Sequence, residues 1–410
     1  MNKLLFIFSI FIFCQSNLWA FDNSNKLVER WNELLSKKEI PSLKQSFCIN
    51  NESNEIIGTN IDKKMKLASL TKLFVSYWSL KSLGPDYKFK TNFYLSQGKL
   101  YIQGNSDSGL VSEHLYLVLS LLNQLGIYKL QQVLYDSSLS LNWTNQNNRI
   151  NRMLHYIFNT KKWNQYTKDH YLDAADSSPE ELGISKALPR MFLGDTIHTD
   201  DINPKVIRSS EYKISIYSPS LINILKTMNS FSNNFMAEEL FRLLGGSDKL
   251  SAFLAEELKI TEEQAYFYTG SGLGNNFASC RIVLKLIQKI KVYLEENNLT
   301  WPNLLAIAGQ DRGTLHNRFT EDDYFGSIAG KTGTLNDTST LAGTASLKHF
   351  NMNFVILNST KKVNTARKVQ DIFLKQIIDE NEGTNPFRSL DYDWNPLAYS
   401  MFSISGQSIY

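Results

Sequence analysis

The amino-acid sequence predicts an α+β fold, in which helices flank an antiparallel sheet and one smaller domain is inserted into the chain. Helical patterns at both ends of the chain enclose a late run of strand-like segments. After Pro85 the apolar helices give way to a hairpin pattern and then to a stretch rich in Asn, Asp and Ser. The 410 residues also exceed what one ordinary core needs, which favours two domains.

These changes define the predicted domains. A signal segment precedes a main domain in two pieces, which the insert separates, and a tail that no pattern places follows. The boundaries are 1–20 for the signal segment, 21–85 and 211–388 for the main domain, 86–210 for the insert and 389–410 for the C-terminal tail.

Apolar spacing predicts the first elements of the main domain. Residues 25–36 place four large apolar side chains on one helical face, and 45–50 and 55–60 alternate as strands around a turn at 51–54. Residues 69–83 form a largely apolar helix that ends near a Gly-Pro pair.

The insert begins with strands at 87–95 and 99–104 and a helix over 111–125, whereas residues 135–204 show little clean periodicity. The main domain then resumes with helical patterns and a group of adjacent strands. These are helices over 219–244, broken at 230–232, and 279–296, strands at 326–334, 339–348 and 351–358, and a final helix over 363–380.

The first 20 residues read as a secretory signal. Lys3 gives a basic start, residues 4–13 form an apolar run, and Ala20 offers a small residue for cleavage. The run is shorter than the roughly 20 residues that span a bilayer. We therefore expect export to the periplasm and no transmembrane span after processing, with an uncleaved anchor as the alternative.

Composition excludes several classes of protein. A net charge of +3 gives no electrostatic case for binding nucleic acid. The six histidines are scattered without metal-ligand spacing, so we assign no metal and no cofactor. Only Cys48 and Cys280 follow the signal segment, and spacing does not decide whether they pair. Two buried free thiols are the simpler expectation.

Three short polar patterns occur along the chain, in the order S-x-x-K, S-x-N and K-T-G. Each pattern alone is common, since S-x-x-K recurs at Ser210 and Ser359 and S-x-N recurs at Ser140. Only one set combines the order with a helix start, a helix break and a strand. That set is Ser69-Leu70-Thr71-Lys72, Ser232-Asn233-Asn234 and Lys331-Thr332-Gly333-Thr334.

The first pattern suits an activated nucleophile. Ser69 stands at a helix start, where the positive helix end favours charge on an attacking oxygen, and Lys72 lies on the same face within reach of its hydroxyl. A lysine can take the serine proton only if its pKa is lowered, which burial beside a second cation such as Lys331 would do. Taken alone, the pattern would indicate only a capped helix and a solvated lysine.

The other two patterns suit substrate binding. Ser232 would relay a proton to a leaving amine while Asn234 holds a substrate amide. On the predicted strand, Gly333 leaves room for a substrate backbone, and Lys331 with the Thr332 and Thr334 hydroxyls would hold a carboxylate. The backbone N–H groups of Ser69 and Thr334 would form an oxyanion hole. A helix cap and a strand with a glycine bulge are the plain alternatives.

At these residues the sequence resembles the DacB-type (class C, type-4) penicillin-binding proteins, which are D-alanyl-D-alanine carboxypeptidases and endopeptidases. The resemblance covers most of residues 40–380. It extends to 217–238, Gly270-Ser271-Gly272-Leu273 and Gly313-Thr314-Leu315 with Arg318, and more weakly to 104–107 and 126–138.

The resemblance implies a transpeptidase domain like that of penicillin-binding proteins and serine β-lactamases. It implies that Ser69 is acylated, that Lys72 is the base, that Ser232 is the relay and that Lys331 is the carboxylate and proton partner. It also implies peptidoglycan peptide stems and cross-links as substrates, and β-lactam antibiotics as covalent inhibitors.

Two carboxylates of the insert stand at positions similar to family segments. A diamino acid in the peptide stem carries a cation that Asp107 or Asp136 could bind. The alternative is that Asp107 serves a turn and Asp136 caps a helix.

The sequence departs from the family pattern in two ways. The insert has room for about one of the two domains that the family carries, which favours an open cleft and cross-linked substrate. Thr269 stands where the family often has an acidic residue.

Two alternatives share the three patterns. A serine β-lactamase would need a Glu-x-x-Leu-Asn loop after S-x-N, and Glu180-Glu181-Leu182-Gly183 precedes it and lacks the Asn. A catalytically idle wall-binding protein would be expected to lose at least one of five residues, and all five are present here. They are Ser69, Lys72, Ser232, Asn234 and Lys331.

Overall fold

The computed structural model describes residues 25–50, 55–395 and 397–406. The predicted signal segment and the predicted turn at 51–54 lie outside these residues. Within them the chain forms two compact units. The first unit comprises 25–78, 228–233 and 244–390, and the second comprises 79–227, 234–243 and 391–406.

Fourteen strands and twelve helices are named here in chain order within the described residues. The strands are β1 (Gln45–Asn50), β2 (Ile56–Thr59), β3 (Lys64–Lys66), β4 (Lys90–Ser96), β5 (Lys99–Gln103), β6 (Lys129–Tyr135), β7 (Phe192–His198), β8 (Tyr212–Tyr217), β9 (Phe277–Ser279), β10 (Ala306–Ile307), β11 (Ile328–Leu335), β12 (Thr338–Ser346), β13 (Asn351–Ser359) and β14 (Met401–Gly406). The helices are α1 (25–37), α2 (Thr71–Leu83), α3 (Ser112–Gln124), α4 (Asn147–Ile157), α5 (Gln165–Asp176), α6 (Pro204–Ser209), α7 (Leu221–Phe231), α8 (Asn234–Leu243), α9 (Gly246–Leu258), α10 (Cys280–Glu296), α11 (Trp301–Leu304) and α12 (Val363–Glu380).

The first unit contains the predicted antiparallel sheet. Its six strands are ordered β10-β11-β12-β13-β1-β2, and all five pairings are antiparallel. A separate two-stranded sheet pairs β3 with β9. The α+β fold class predicted from the sequence is confirmed, and α12 has the predicted bounds.

The helices at the two ends of the first unit share one core on this sheet. Trp31 of α1, Phe47 of β1 and Phe373 of α12 are fully buried, and their ring centroids lie 4.8–5.2 Å apart. Tilted and edge-on contacts of this kind add to the free energy gained by burying large rings. The early helix is therefore held against the late sheet by aromatic packing.

Cys48 and Cys280 form a disulfide bond between β1 and the start of α10. The expectation of two free thiols was wrong. The bridge closes a separation of 232 residues and restricts the unfolded chain accordingly. Linear spacing did not reveal the pairing, because the strand and the helix that carry the two sulfur atoms come from distant segments.

The second unit has its own six-stranded sheet, ordered β14-β8-β4-β5-β6-β7. The pairs β5–β6 and β6–β7 are parallel, and the others are antiparallel. Apolar side chains of the sheet pack with those of α3, α4 and α5 in one core. Helices α4 and α5 and strand β7 lie in the Asn-, Asp- and Ser-rich stretch, where no regular element was predicted.

The boundaries of this unit differ from the predicted insert of 86–210. Strand β8 pairs with both β4 and β14, so residues beyond 210 complete the same sheet. The predicted tail of 389–410 supplies that outer strand. These boundaries depend on hydrogen-bond partners that are remote in sequence, which single-segment patterns do not show. Within the described residues, no helix is long and apolar enough to cross a membrane.

Candidate active site

The S-x-x-K pattern lies at a tight turn that leads into α2. Residues Ala68–Leu70 form a 3₁₀ turn, and Ala68 adopts a left-handed conformation with φ of 48°. This region is sparsely populated by residues other than glycine. The Thr71 hydroxyl donates a hydrogen bond to the Ala68 carbonyl at 2.9 Å. The turn leaves Ser69 half-buried at the start of the helix.

Lys72 is fully buried and points at Ser69. Its Nζ lies 3.0 Å from Ser69 Oγ and donates to the carbonyl oxygen of Ser271 at 2.8 Å. The predicted reach across one helical turn is therefore present. The 3.0 Å distance is that of a hydrogen bond, so a proton can pass between the two groups.

The G-S-G-L turn supports the nucleophile turn from one side. Gly272 has φ of 84°, and a Cβ added to it would lie 1.8 Å from the carbonyl oxygen of Ala68. Thr269 closes the turn, since its hydroxyl donates to Leu273 O at 2.8 Å and accepts from Gly272 N at 3.2 Å. A neutral hydroxyl thus serves the turn where the family often has an acidic residue.

Asn276 joins this turn to the nucleophile turn. The buried side chain accepts from the backbone N–H of Tyr268 at 2.8 Å and donates to Thr269 O at 2.6 Å. The side chain also donates to Thr71 Oγ1 at 3.0 Å, and the backbone carbonyl of Asn276 accepts from Leu67 N at 3.0 Å. One amide therefore fixes the position of both turns, and no sequence pattern had singled it out.

The K-T-G pattern lies on β11, next to the two-residue edge strand β10, and directly beside the nucleophile turn. A Cβ added to Gly333 would lie 2.2 Å from Thr340 Oγ1, 2.9 Å from Leu67 O and 3.0 Å from Ser69 N. The sequence had suggested that this glycine makes room for substrate. The structure gives a further reason, because the backbone of the nucleophile turn itself approaches the strand at this point.

Lys331 is the second buried cation of the site. It is fully buried and donates to the carbonyl oxygen of Thr332 at 2.8 Å. Burial first, and the nearby charge of Lys72 second, lower the pKa of Lys331 well below its ordinary value of 10.5. The sequence had predicted that Lys331 lowers the pKa of Lys72, whereas the shift found here is that of Lys331, to which the charge of Lys72 contributes.

The S-x-N pattern begins at the break after α7, where Ser232 is half-buried with φ of 55°. The preceding Ser230 carbonyl accepts from Thr314 N at 2.9 Å, and Thr332 Oγ1 lies 2.8 Å from Thr314 Oγ1. A Cβ on Gly313 would lie 2.1 Å from Ser230 O. The G-T-L loop thus connects the segment before Ser232 to the K-T-G strand.

Arg318 holds that loop to α12. Its Nε donates to Asp371 Oδ1 at 2.9 Å, and its Nη2 donates to Gln370 Oε1 at 3.1 Å. The arginine was noted in the sequence as part of the loop pattern, and the structure supplies the partners that anchor it.

Three predicted substrate-binding residues lie in the second unit. Asn234 is the exposed first residue of α8. Asp107 is buried and accepts from Gly109 N at 2.9 Å, and burial raises its pKa to about 6. Asp136 Oδ1 accepts from Gly104 N, Ser138 N and Ser138 Oγ at 2.8–3.1 Å, and burial raises its pKa.

Comparison with known proteins places this geometry in context. The sequence profile of the D-Ala-D-Ala carboxypeptidase 3 (S13) family matches residues 29–162 and 194–377. No curated protein sequence matches the chain.

Among solved structures, the chain is similar to Bd3459, a predatory peptidoglycan endopeptidase from Bdellovibrio bacteriovorus, with a TM-score of 0.72, 24% identity, and coverage of 87% of this chain and 98% of that chain. A penicillin G-acylated form of that enzyme, in complex with the immunity protein Bd3460, matches at a TM-score of 0.72 and 24% identity, with coverage of 87% and 99%. Penicillin binding protein 4 (dacB) from Haemophilus influenzae matches at a TM-score of 0.59 and 17% identity, with coverage of 85% and 99%.

Proposed function

Because the chain belongs to the D-Ala-D-Ala carboxypeptidase 3 (S13) family and is a serine-type DD-peptidase, we propose that Ser69 is its acylated nucleophile and Lys72 its base. The observation that carries this proposal is the 3.0 Å contact between Lys72 Nζ and Ser69 Oγ at the start of α2. Lys72 is fully buried, whereas Ser69 is half-buried, so the amine reaches the serine from inside the protein.

Acylation begins when Lys72 Nζ takes the hydroxyl proton and Ser69 Oγ attacks the carbonyl carbon of the D-alanine whose amide bond is cleaved. The backbone N–H groups of Ser69 and Thr334 would bind the resulting oxyanion. Ser232 relays the proton to the leaving nitrogen, the carbon–nitrogen bond breaks, and the amine departs. Water then attacks the ester, returns a proton to Ser69 and releases a peptide that ends in a D-alanine carboxylate.

For this step at least one of the two buried lysines, Lys72 or Lys331, has to be deprotonated. Lys331 is fully buried, and its lowered pKa follows from burial and from the charge of Lys72. Two ammonium groups in one desolvated site repel each other, so the pair favours losing a proton. We assign the base to Lys72, since its amine contacts the serine, and the carboxylate contact to Lys331 with Thr332 and Thr334.

We propose that the preferred substrate is a peptidoglycan cross-link and that the peptide of an uncross-linked stem is cleaved more slowly. The sequence has room for only one inserted domain, and the similar Bdellovibrio protein is a peptidoglycan endopeptidase. Export by a signal segment at residues 1–20, and work in the periplasm, belong to the same proposal. β-Lactams would acylate Ser69, as penicillin G acylates that similar protein.

Purified dimeric muropeptides and pentapeptide monomers test the proposal when digestion products are separated by chromatography and mass spectrometry. We expect conversion of dimers to monomers, with loss of D-alanine from pentapeptides as the slower reaction. Neither product should form with Ser69→Ala. Release of D-alanine without dimer cleavage would make the protein a carboxypeptidase, and dimer cleavage by Ser69→Ala would exclude Ser69 as the nucleophile.

A further inference from the structure

One cation beside the K-T-G strand has no role in the proposed mechanism. Arg367 lies on α12 and is half-buried. Its Nη2 donates to Thr334 Oγ1 at 2.7 Å, and its Nη1 donates to Asn364 Oδ1 at 3.3 Å. Both acceptors are neutral. Within the described residues, the guanidinium makes no ion pair with a carboxylate.

Within the described residues, two other cations at this helix pair with carboxylates, whereas the exposed Lys368, like Arg367, does not. Lys362, at the start of α12, pairs with Glu39 at 2.9 Å, and Lys375 pairs with Glu321. Arg367 lies between these two positions and is the one next to the site. A guanidinium always carries its charge and presents a planar fork of donors that fits a carboxylate. An arginine in this place without an acidic partner is therefore suited to an anionic ligand.

The contact with Thr334 connects Arg367 to the reacting atoms. Thr334 is exposed and follows Gly333, the residue whose added Cβ would lie 3.0 Å from Ser69 N. A hydroxyl can accept one hydrogen bond while it donates another. Because Thr334 Oγ1 accepts from Arg367, its own proton is directed away from the guanidinium and can be donated to a ligand oxygen.

We propose that Arg367 is a specificity-determining residue that binds the substrate carboxylate next to the scissile amide, together with Thr334. This inference rests on the proposed function of the site. A C-terminal D-alanine carries a carboxylate on the carbon attached to the leaving nitrogen, and so does a cross-linking amino acid whose bonded nitrogen is an α-amino group. A bidentate or bridging contact from Arg367 selects for that group.

Binding to a Ser69→Ala protein tests this inference without any acylation step. The probes are diacetyl-Lys-D-Ala-D-Ala and its C-terminal amide, which differ only in the charge of the terminal group. Dissociation constants are measured by calorimetry for Ser69→Ala alone and with Arg367→Gln, Arg367→Lys or Lys368→Gln added. Lys368 is the matched control, since it is the exposed neighbour of Arg367 on α12 and carries the same charge.

We expect Arg367→Gln to weaken binding of the carboxylate probe by about tenfold, as for one charge-assisted hydrogen bond, and to leave the amide probe unchanged. Arg367→Lys should recover part of the loss, and Lys368→Gln should change neither probe. Equal losses for both probes, no loss for either, or no binding of the carboxylate probe to any variant would overturn the assignment. Selective binding through Arg367 in a protein that penicillin fails to acylate would support the assignment and overturn the proposed function.

Discussion

Two regions of the molecule bury charged side chains in different ways. In the first unit, Lys72 and Lys331 are fully buried, and the charge of one lowers the pKa of the other. In the second unit, Asp107 and Asp136 are also buried, but each carboxylate accepts hydrogen bonds from nearby backbone N–H groups. Burial disfavours the charged form in both regions, since it lowers the pKa of Lys331 and raises the pKa of both aspartates, but only at the aspartates do backbone N–H groups offset part of that cost.

We interpret this difference as that between the proposed active site and a structural role for the two aspartates. A buried carboxylate that accepts from residues two or a few dozen positions away fixes a turn or joins two loops, and this requires no ligand. Two buried lysines whose charges repel each other raise the free energy of the folded state unless one loses its proton or the pair binds an anion. Burial alone does not therefore identify a site, and the partners of each buried group do.

The largest expected effect is the loss of the base. Lys72→Arg keeps the positive charge but cannot release a proton near neutral pH, so the acylation rate with benzylpenicillin should fall by about 10²–10⁴-fold. Stopped-flow or quenched labelling with a fluorescent penicillin measures it. Lys81→Arg, an exposed position on the same helix, is the control and should acylate normally. An unchanged rate in Lys72→Arg would assign the base to another group.

The next effect tests the close approach of β11 to the nucleophile turn. In Gly333→Ala the new methyl group would meet Thr340 Oγ1 at 2.2 Å and backbone atoms of the Ser69 turn at 2.9–3.0 Å. Displacing that turn should lower the acylation rate by about 100-fold, since a shift near 1 Å in a catalytic group has effects of this size.

Gly330→Ala is the matched control on the same strand, because its methyl group would meet no atom closer than 3.3 Å. If both variants acylate at the wild-type rate, the strand does not position the nucleophile.

Several features followed from local pattern. The spacing of Ser69 and Lys72 predicted the contact that is seen at 3.0 Å, and α12 was placed with its observed bounds, whereas the grouping of these residues with Ser232 and Lys331 came from the family resemblance. These features are readable because periodicity and a three-residue helical spacing act over short distances.

What the sequence missed depends on contacts between distant segments. The Cys48–Cys280 bridge, the pairing of β14 with β8 and the hydrogen bonds of Asn276 to Leu67 and Thr71 each join residues that no local pattern relates. The helices of residues 147–157 and 165–176 were missed for another reason. Their sequences carry many polar residues, so tertiary packing rather than propensity determines them.

The third prediction concerns stability at Lys331. Its pKa is lowered in the folded state, so between that lowered value and 10.5 the unfolded chain binds a proton that the folded protein lacks. The free energy of unfolding should therefore rise with pH through this range and lose that increment below it. Lys331→Met should remove this pH dependence and stabilise the protein near neutral pH by about 1–4 kcal/mol, as measured by denaturant unfolding.

Acylation should be lost in the same Lys331→Met variant, so stability and activity move in opposite directions. A variant that is less stable than the wild type at neutral pH would show that Lys331 is held favourably as a cation.

The smallest expected effect is in the second unit. Asp136 Oδ1 already accepts three hydrogen bonds, and Asn in its place keeps that oxygen. We expect Asp136→Asn to change the rates of muropeptide cleavage and penicillin acylation by less than about twofold, since the amide oxygen can accept the same three hydrogen bonds. The sequence-based proposal of a stem-binding carboxylate predicts instead a loss of about tenfold in muropeptide cleavage alone. Comparing the two reactions in this variant distinguishes the two accounts.

The central claim is that Ser69 forms the acyl-enzyme. Intact mass spectrometry after incubation with benzylpenicillin, followed by peptide mapping, tests it most directly. The account predicts one adduct per chain, located on Ser69, absent from Ser69→Ala and decaying over minutes or longer. An adduct that persists in Ser69→Ala, or no adduct on the wild-type protein, would contradict the claim.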